Sequence, residues 1–217
     1  MIKLKKRLES LSSFIKKDDR TLDIGCDHAY LSIYLTLKYK NKCIASDISK
    51  NALDQASKNI EKYNLKDKIE LRLGDGLDIL KEEDSINTLI ISGLGTHTIL
   101  KILKNKEKLS NIEKIVISSN NNPANLRKTL TKNGYYIDEE LVIEENSNFY
   151  INICFKKGVR KYSNKDIAIG VFDNTPSSKK YLDSMIKKNN ILLSIIPRKD
   201  IFKRLKIRHN QKLIISK

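Results

Sequence analysis

Three carboxylates stand at matching places in this 217-residue sequence: Asp27, within Leu22-Asp-Ile-Gly-Cys-Asp-His-Ala-Tyr-Leu31; Asp47, just past the apolar run 42–46; and Asp75, within Gly74-Asp-Gly76 after the run 69–73. If these runs are neighbouring parallel strands, the acids gather at their carboxyl ends, where open α/β sheets bind ligands. Asp47 lies about 20 residues beyond the first glycine turn, where an acidic residue receives the two hydroxyls of a ribose. Asp75 is placed to accept from an exocyclic amine such as adenine N6. The first turn keeps only Gly25 of a Gly-x-Gly-x-x-Gly fingerprint, with Asp27 and Ala29 where a pyrophosphate needs close backbone approach. A carboxylate there repels a pyrophosphate but attracts a sulfonium and an ammonium. Any one of these acids is commonly a surface turn or a helix cap. Together they favour S-adenosylmethionine.

The elements that must position these residues alternate. The 20–25, 42–46 and 69–73 runs read as strands, with helical patterns at 30–40 and 50–63 between them. Further runs at 88–92 and 114–118 flank a helix near 98–104, which makes a parallel, doubly wound sheet. Pro123 then opens a helix over 124–133, with Gly134 as its C-terminal cap. Runs 135–144 and 148–156 follow with only a turn between them, too short for a crossover, so they form an antiparallel hairpin. A mostly parallel sheet closed by such a hairpin is the α/β architecture of the Rossmann-like class I methyltransferases. Leu4, Leu8, Leu11 and Ile15 predict an amphipathic helix over 3–16 ahead of the sheet. Gly158, Ser163 and the 173–176 turn set off a C-terminal segment with helical spacing over 177–196 and 201–215, broken by Pro197. The expected domains are therefore 1–157, holding the cofactor, and 158–217, a basic helical hairpin.

The formal net charge is +16, from 42 Lys plus Arg against 26 Asp plus Glu. This exceeds what solubility asks and points to a polyanionic partner, although a bias toward Lys, Asn and Ile competes with that reading. No run approaches a membrane-spanning length. Cys26, Cys43 and Cys154 form neither a disulfide framework nor a metal set, so no metal is expected and a reducing cytoplasm fits. The N-terminal residues lack the apolar core of an export signal.

The sequence resembles the bacterial tRNA (adenine-22-N1)-methyltransferases of the TrmK type. The resemblance rests on Lys6-Arg-Leu8, the Asp23-Ile-Gly-x-Asp-His-Ala-Tyr-Leu31 turn, Gly74-Asp-Gly-Leu77, Ser92-Gly-Leu-Gly-Thr96 and Leu126-Arg-Lys with Asn133-Gly-Tyr135. It implies methyl transfer from S-adenosylmethionine to N1 of adenosine 22 in tRNA, leaving S-adenosylhomocysteine, and a C-terminal coiled-coil-like helical domain. It places Asp23, Gly25, Asp47, Ile48, Gly74, Asp75, Gly76, Ser92 and Gly93 at the cofactor. Lys6, Arg7, His28, His97, Asn120, Arg127, Arg204 and Arg208 are the candidate tRNA contacts. The expected partner is tRNA, met by a monomer with no obligate protein partner. Two motifs depart from the family: Gly93-Leu-Gly-Thr-His97 stands for Gly-Met-Gly-Gly, and Ser119-Asn-Asn-Asn-Pro123 for Gln-Pro-Asn, leaving open which of Asn120, Asn121 and Asn122 takes the family asparagine's place.

Adenine N1 carries a lone pair, so such an enzyme needs to position its partners and requires no covalent nucleophile. Asp27 is the candidate catalytic group, accepting an N6 hydrogen as the ring gains charge, with Tyr30 shaping the pocket. The target base must be unpaired or flipped. Two alternatives compete: a nicotinamide-dependent oxidoreductase, suggested by the Tyr34-x-x-x-Lys38 spacing, and a non-catalytic RNA-binding protein on the same fold.

Overall fold

In the computed structural model, residues 2–216 are described, so Met1 and Lys217, the outermost residues of the two expected domains, lie outside them. Strands β1 (Thr21–Ile24), β2 (Cys43–Asp47), β3 (Ile69–Leu73), β4 (Thr88–Ser92) and β5 (Lys114–Ser119) are parallel. The hairpin of β6 (Tyr135–Glu145) and β7 (Asn148–Lys157) joins β5 antiparallel through β7. The order is β3-β2-β1-β4-β5-β7-β6, so the side on which strands are added to the sheet switches between β1 and β4. That switch opens a crevice at the carboxyl ends of the strands. The hairpin turns on Asn146 and Ser147, both at positive φ, a backbone twist that suits a tight two-residue loop.

Alternate residues of each strand face opposite layers. Leu22, Ile24, Leu89, Ile91, Ile115 and Ile117 pack toward α4 (Thr96–Ile102) and α5 (Pro123–Lys132). On the other face, Cys43 and Ala45 meet α2 (Tyr30–Tyr39) and α3 (Lys50–Lys62), while Ile90 and Val116 meet the N-terminal segment through Leu11 and Phe14.

The N-terminal segment differs from the expected helix over 3–16. Residues 2–5 are non-helical, with Ile2 and Leu4 buried and Lys3 and Lys5 exposed, a period-two pattern that a continuous helix cannot satisfy. Helix α1 spans only Lys6–Glu9 and tightens into a 3-10 turn over Ser10–Phe14. Asp19 pins the link from this turn to β1: its carboxylate accepts from the Lys16 amide at 2.7 Å and from the buried Lys114 Nζ at 2.5 Å.

Beyond β7, the short helix α6 (Asn164–Ile169) starts on a reciprocal Ser163–Asp166 cap. Its six residues are too few for a periodic signal, and the sequence did not reveal it. Helices α7 (Pro176–Ile195) and α8 (Ile201–Ile215) form the expected hairpin. The base of this segment shares the core of the sheet, where Ile169, Phe172 and Ile214 are buried.

Candidate active site

Where β1 ends, the backbone turns on Gly25 at φ +72, and the amides of Gly25 and Cys26 both donate to the Ser46 carbonyl, at 2.8 and 3.0 Å. A β-carbon at Gly25 would suffer that unfavourable φ and lie 3.4 Å from the Leu94 side chain. The same turn holds Asp27 at φ +51 and Ala29 at φ +58, so two residues with side chains adopt a left-handed backbone. Such strain is tolerated where surrounding structure fixes it and clusters at functional sites. Here Asp47 is the fixing group: Oδ2 accepts from the Asp27 amide at 3.1 Å and Oδ1 from the Ser49 amide at 2.9 Å.

These turns bound a cavity of 470 Å³ at the carboxyl ends of β1, β2, β3 and β4. Its acidic lining is Asp27, Asp47 and Asp75. Ile48, Leu94 and Ile102 supply apolar wall, and Gly25, Gly74, Gly76, Ser92 and Gly93 give it a narrow backbone floor. A β-carbon on Gly93 would meet no protein atom within 4 Å, so it would project into open space. Ile48 is 74 % exposed, an unfavourable place for an isoleucine unless a flat apolar ligand covers it.

Among the described lining residues one is a cation, while Lys101 pairs with Asp75 from outside the lining at 3.8 Å. Arg7 lines the cavity, its Nε lies 3.6 Å from Glu145 Oε2, and its guanidinium sits 5.1 Å from the Tyr150 ring centre. Expected among the tRNA contacts, Arg7 lines the cavity itself. Leu8, Ile24, Leu94, Thr98 and Ile102 also line the cavity, beyond the site residues that the sequence singles out. Thr98 and Ile102 are four apart on α4, a helix-face spacing that would have exposed them once the preceding glycine turn was assigned.

The other candidates divide. Asp23 is not in the lining: it is buried on the α2 side of β1, where it accepts from Ser32 Oγ at 2.6 Å. Burial, partly relieved by that hydrogen bond, raises its pKa to about 6. Tyr30 is 44 % exposed and stands edge-on to His28, whose Nδ1 lies 3.6 Å from Asp27 Oδ1; neither ring lines the cavity. His97 is exposed as the second residue of α4 and is likewise outside the lining. Lys6 borders an adjoining groove with Lys3, Lys5 and Glu144.

Of the three asparagines after β5, Asn121 is locked to the start of α4. Its side-chain oxygen accepts from the Thr96 amide at 2.9 Å, and its carbonyl accepts from Thr96 Oγ1 at 2.5 Å and Ser119 Oγ at 2.9 Å. Asn120 is exposed.

Of the expected tRNA contacts, burial excludes Arg127 alone. Arg127 is wholly buried, bonded through Nε and Nη2 to Glu140 and through Nη1 to the Ile167 carbonyl at 3.2 Å, so no phosphate can reach it. Arg204 spends Nη1 on the carbonyls of Leu193 and Ile196, at 2.6 and 2.7 Å, closing the end of α7. Arg208 is exposed.

Burial pushes the Cys43 and Cys154 thiols up to about 12, and the Cys26 thiol up as well, so all three stay protonated at neutral pH. Among the described residues no acid, histidine or cysteine cluster could hold a metal ion, and no helix is long and apolar enough to cross a membrane. Tyr34 and Lys38 lie along α2, where Lys38 donates to Ser12 Oγ at 3.1 Å. That pair braces the N-terminal segment instead of facing the crevice.

Residues 4–153 match the family described as "Methyltransferase domain". The tRNA (adenine(22)-N(1))-methyltransferase of Bacillus subtilis is 32% identical over 161 residues, covering 73% of this chain and 67% of the relative. The chain belongs to the TrmK family. The structure of M. capricolum TrmK in complex with S-adenosyl-homocysteine superimposes with a TM-score of 0.89 at 33% identity, covering 98% of this chain and 96% of that one. A Streptococcus pneumoniae structure in complex with S-adenosyl-L-methionine gives 0.89 at 30% identity, covering 99% of each chain. These likenesses extend through the helical segment, so the TrmK fold describes the whole chain. They favour neither the oxidoreductase nor the non-catalytic alternative.

Proposed function

We propose that this chain methylates N1 of adenosine 22 in tRNA, with S-adenosylmethionine as methyl donor. The observation that carries the reading is the cavity lining: three carboxylates, one guanidinium and exposed apolar walls around a glycine floor. S-adenosylmethionine has a ribose diol and an adenine amine for two of the carboxylates, a carboxylate for the guanidinium, and cationic sulfonium and ammonium groups that acidic surroundings favour. The site residues fit it. Asp47 would hold the ribose hydroxyls, Asp75 the adenine amine, Ile48 and Ile102 the adenine faces, and Arg7 the carboxylate. Asp27, at the mouth, is left for the substrate.

The bound cofactor supplies an electrophilic methyl carbon, to which N1 forms a bond with its lone pair as the carbon–sulfur bond breaks and its electrons stay on sulfur. The positive charge passes to the purine, and no proton has to leave. The chain's task is therefore placement and electrostatics. Asp27 accepts a hydrogen from N6 and stabilises the charge growing on the ring. Tyr30 and His28 restrict how the base lies against it. A separate groove carries Lys3, Lys5 and Lys6 along with Glu144 and Glu145, and its three lysines suit phosphates flanking an unpaired nucleotide.

The test is methyl transfer to unmodified tRNA followed by nucleoside analysis. The expected product is 1-methyladenosine at position 22; 1-methylguanosine or a carbon-methylated base would overturn the reading.

A further inference from the structure

The end of the helical hairpin, remote from the cavity, combines two properties that rarely coincide on a solvent-facing surface. Phe202, in the first turn of α8, is 90 % exposed. Around it, residues 186–217 carry ten Lys or Arg and a single acid, Asp200, a larger excess of positive charge than the rest of the chain holds. Asp200 pairs with Lys203 at 3.4 Å, whereas Arg198, Lys199, Lys206 and Arg208 have no ion pair among the described residues.

The orientation of Phe202 is built in. Arg204 is drawn against the Leu193 and Ile196 carbonyls, and Ile207, Gln211 and Ile214 continue that inward row at helical spacing. Phe202 and Lys206 fall outside it, so the seam between α7 and α8 holds the ring away from the protein. Burying a phenylalanine is worth about 1.5–3 kcal/mol, so leaving one out selects for something that covers it.

We infer that Phe202 is a stacking platform for an unpaired base of the same tRNA, with the surrounding cations holding the adjoining phosphates. The inference rests on the proposed function, and it adds a second anchoring point. The same stretch exposes Ile195, Ile201 and Leu205, so the surface is apolar as well as basic; an apolar protein partner would use the apolar part alone, whereas an unpaired nucleotide presents a π face to the ring and a charged backbone to the cations. The distance also matters. Helix α7 starts beside the site, where Lys180 bonds to Glu144 at 2.8 Å next to Glu145, the partner of Arg7. Its 20 residues then carry the hairpin end roughly 30 Å away. A base stacked there is not the base being methylated, so the contact governs capture of the tRNA and leaves the chemical step alone.

The experiment compares wild type with Phe202→Ala, Phe202→Trp and Phe202→Leu in steady-state methylation of unmodified tRNA, alongside tRNA binding by fluorescence anisotropy. Phe202→Ala should raise KM and Kd for tRNA about tenfold, with kcat at saturating tRNA and the affinity for S-adenosylmethionine unchanged. Phe202→Trp should restore wild-type values and Phe202→Leu should not. An unchanged KM in Phe202→Ala overturns the inference, and so does full rescue by leucine, which would mean apolar packing without stacking. Flotation on vesicles of phosphatidylglycerol and sedimentation velocity read the other occupants: Phe202-dependent vesicle binding or self-association, with tRNA affinity unaffected, would assign the surface to a membrane or a second copy. A wild type that makes no 1-methyladenosine sinks the proposed function, whereas an active wild type indifferent to Phe202 sinks only the stacking site.

Discussion

The Asp27 amide donates to Asp47 Oδ2 at 3.1 Å, so the residue assigned to the cofactor ribose also fixes the backbone that presents the residue assigned to the substrate. Losing Asp47 therefore does two things. It removes the proposed acceptor for the ribose hydroxyls and it releases a left-handed turn at φ +51. For Asp47→Ala, calorimetric titration should show S-adenosylmethionine binding weakened roughly 10- to 100-fold, the worth of about 1.5–3 kcal/mol of charged hydrogen bonding. Asp47→Asn, which keeps one acceptor, should lose less. Equal affinity in all three proteins would remove Asp47 from the cofactor site.

Asp27 has the opposite profile, because its side chain is 74 % exposed and supports little of the fold. Asp27→Ala should keep its melting temperature and cofactor affinity while kcat on tRNA falls roughly 100-fold, the scale of one lost electrostatic stabiliser. Retained turnover within about threefold, under roughly 1 kcal/mol of barrier, would show that Asp27 does not act on the transition state.

Legibility in the sequence depends on how locally each feature is specified. The strands and the acids at their ends are written in short apolar runs succeeded by glycine and aspartate, and they stand where expected; the identity of the cavity floor came from them. Side-chain destinations set by distant partners were not legible. Arg127 reads as a surface arginine on an amphipathic helix until β6 brings up Glu140, and Arg7 reads as one of several cations until Glu145 and Tyr150 draw it to the cavity. Hydrophobic spacing at 4, 8, 11 and 15 satisfies a helix, while burial of Ile2 and Leu4 on the sheet requires a non-helical lead-in.

The Arg127–Glu140 pair joins α5 to β6, and Glu140 Oε2 also accepts from the Val171 amide at 2.9 Å, which ties down the start of the helical segment. Removing one member leaves the other charged and buried. Arg127→Ala should cost about 3–5 kcal/mol in urea denaturation. The double change Arg127→Met with Glu140→Met should cost less than the sum of its single changes, because neither charge is then left alone. A cost below about 1 kcal/mol for Arg127→Ala would mean that water reaches this site.

Asp23 gives the fold a pH dependence of unusual sign. Its folded pKa of about 6 lies above the ordinary aspartate value of 3.8, so between these limits the folded state holds more protons than the unfolded chain. Stability from this group is therefore greatest below about pH 4 and declines as the pH rises toward 6 and beyond, by up to about 3 kcal/mol when both states are ionised. Desolvation is the main cause; the Ser32 hydrogen bond opposes it and the Asp47 charge adds to it. Asp23→Asn keeps an acceptor for Ser32 Oγ and cannot ionise. Urea denaturation of both proteins at about pH 4, 5, 6 and 7.5 isolates the group, since the other carboxylates are common to both. The stability of Asp23→Asn relative to wild type should climb through this window and level off above about pH 7. A difference that stays constant with pH would mean that Asp23 titrates normally in the folded protein, and that its burial beside Ser32 is relieved by solvent.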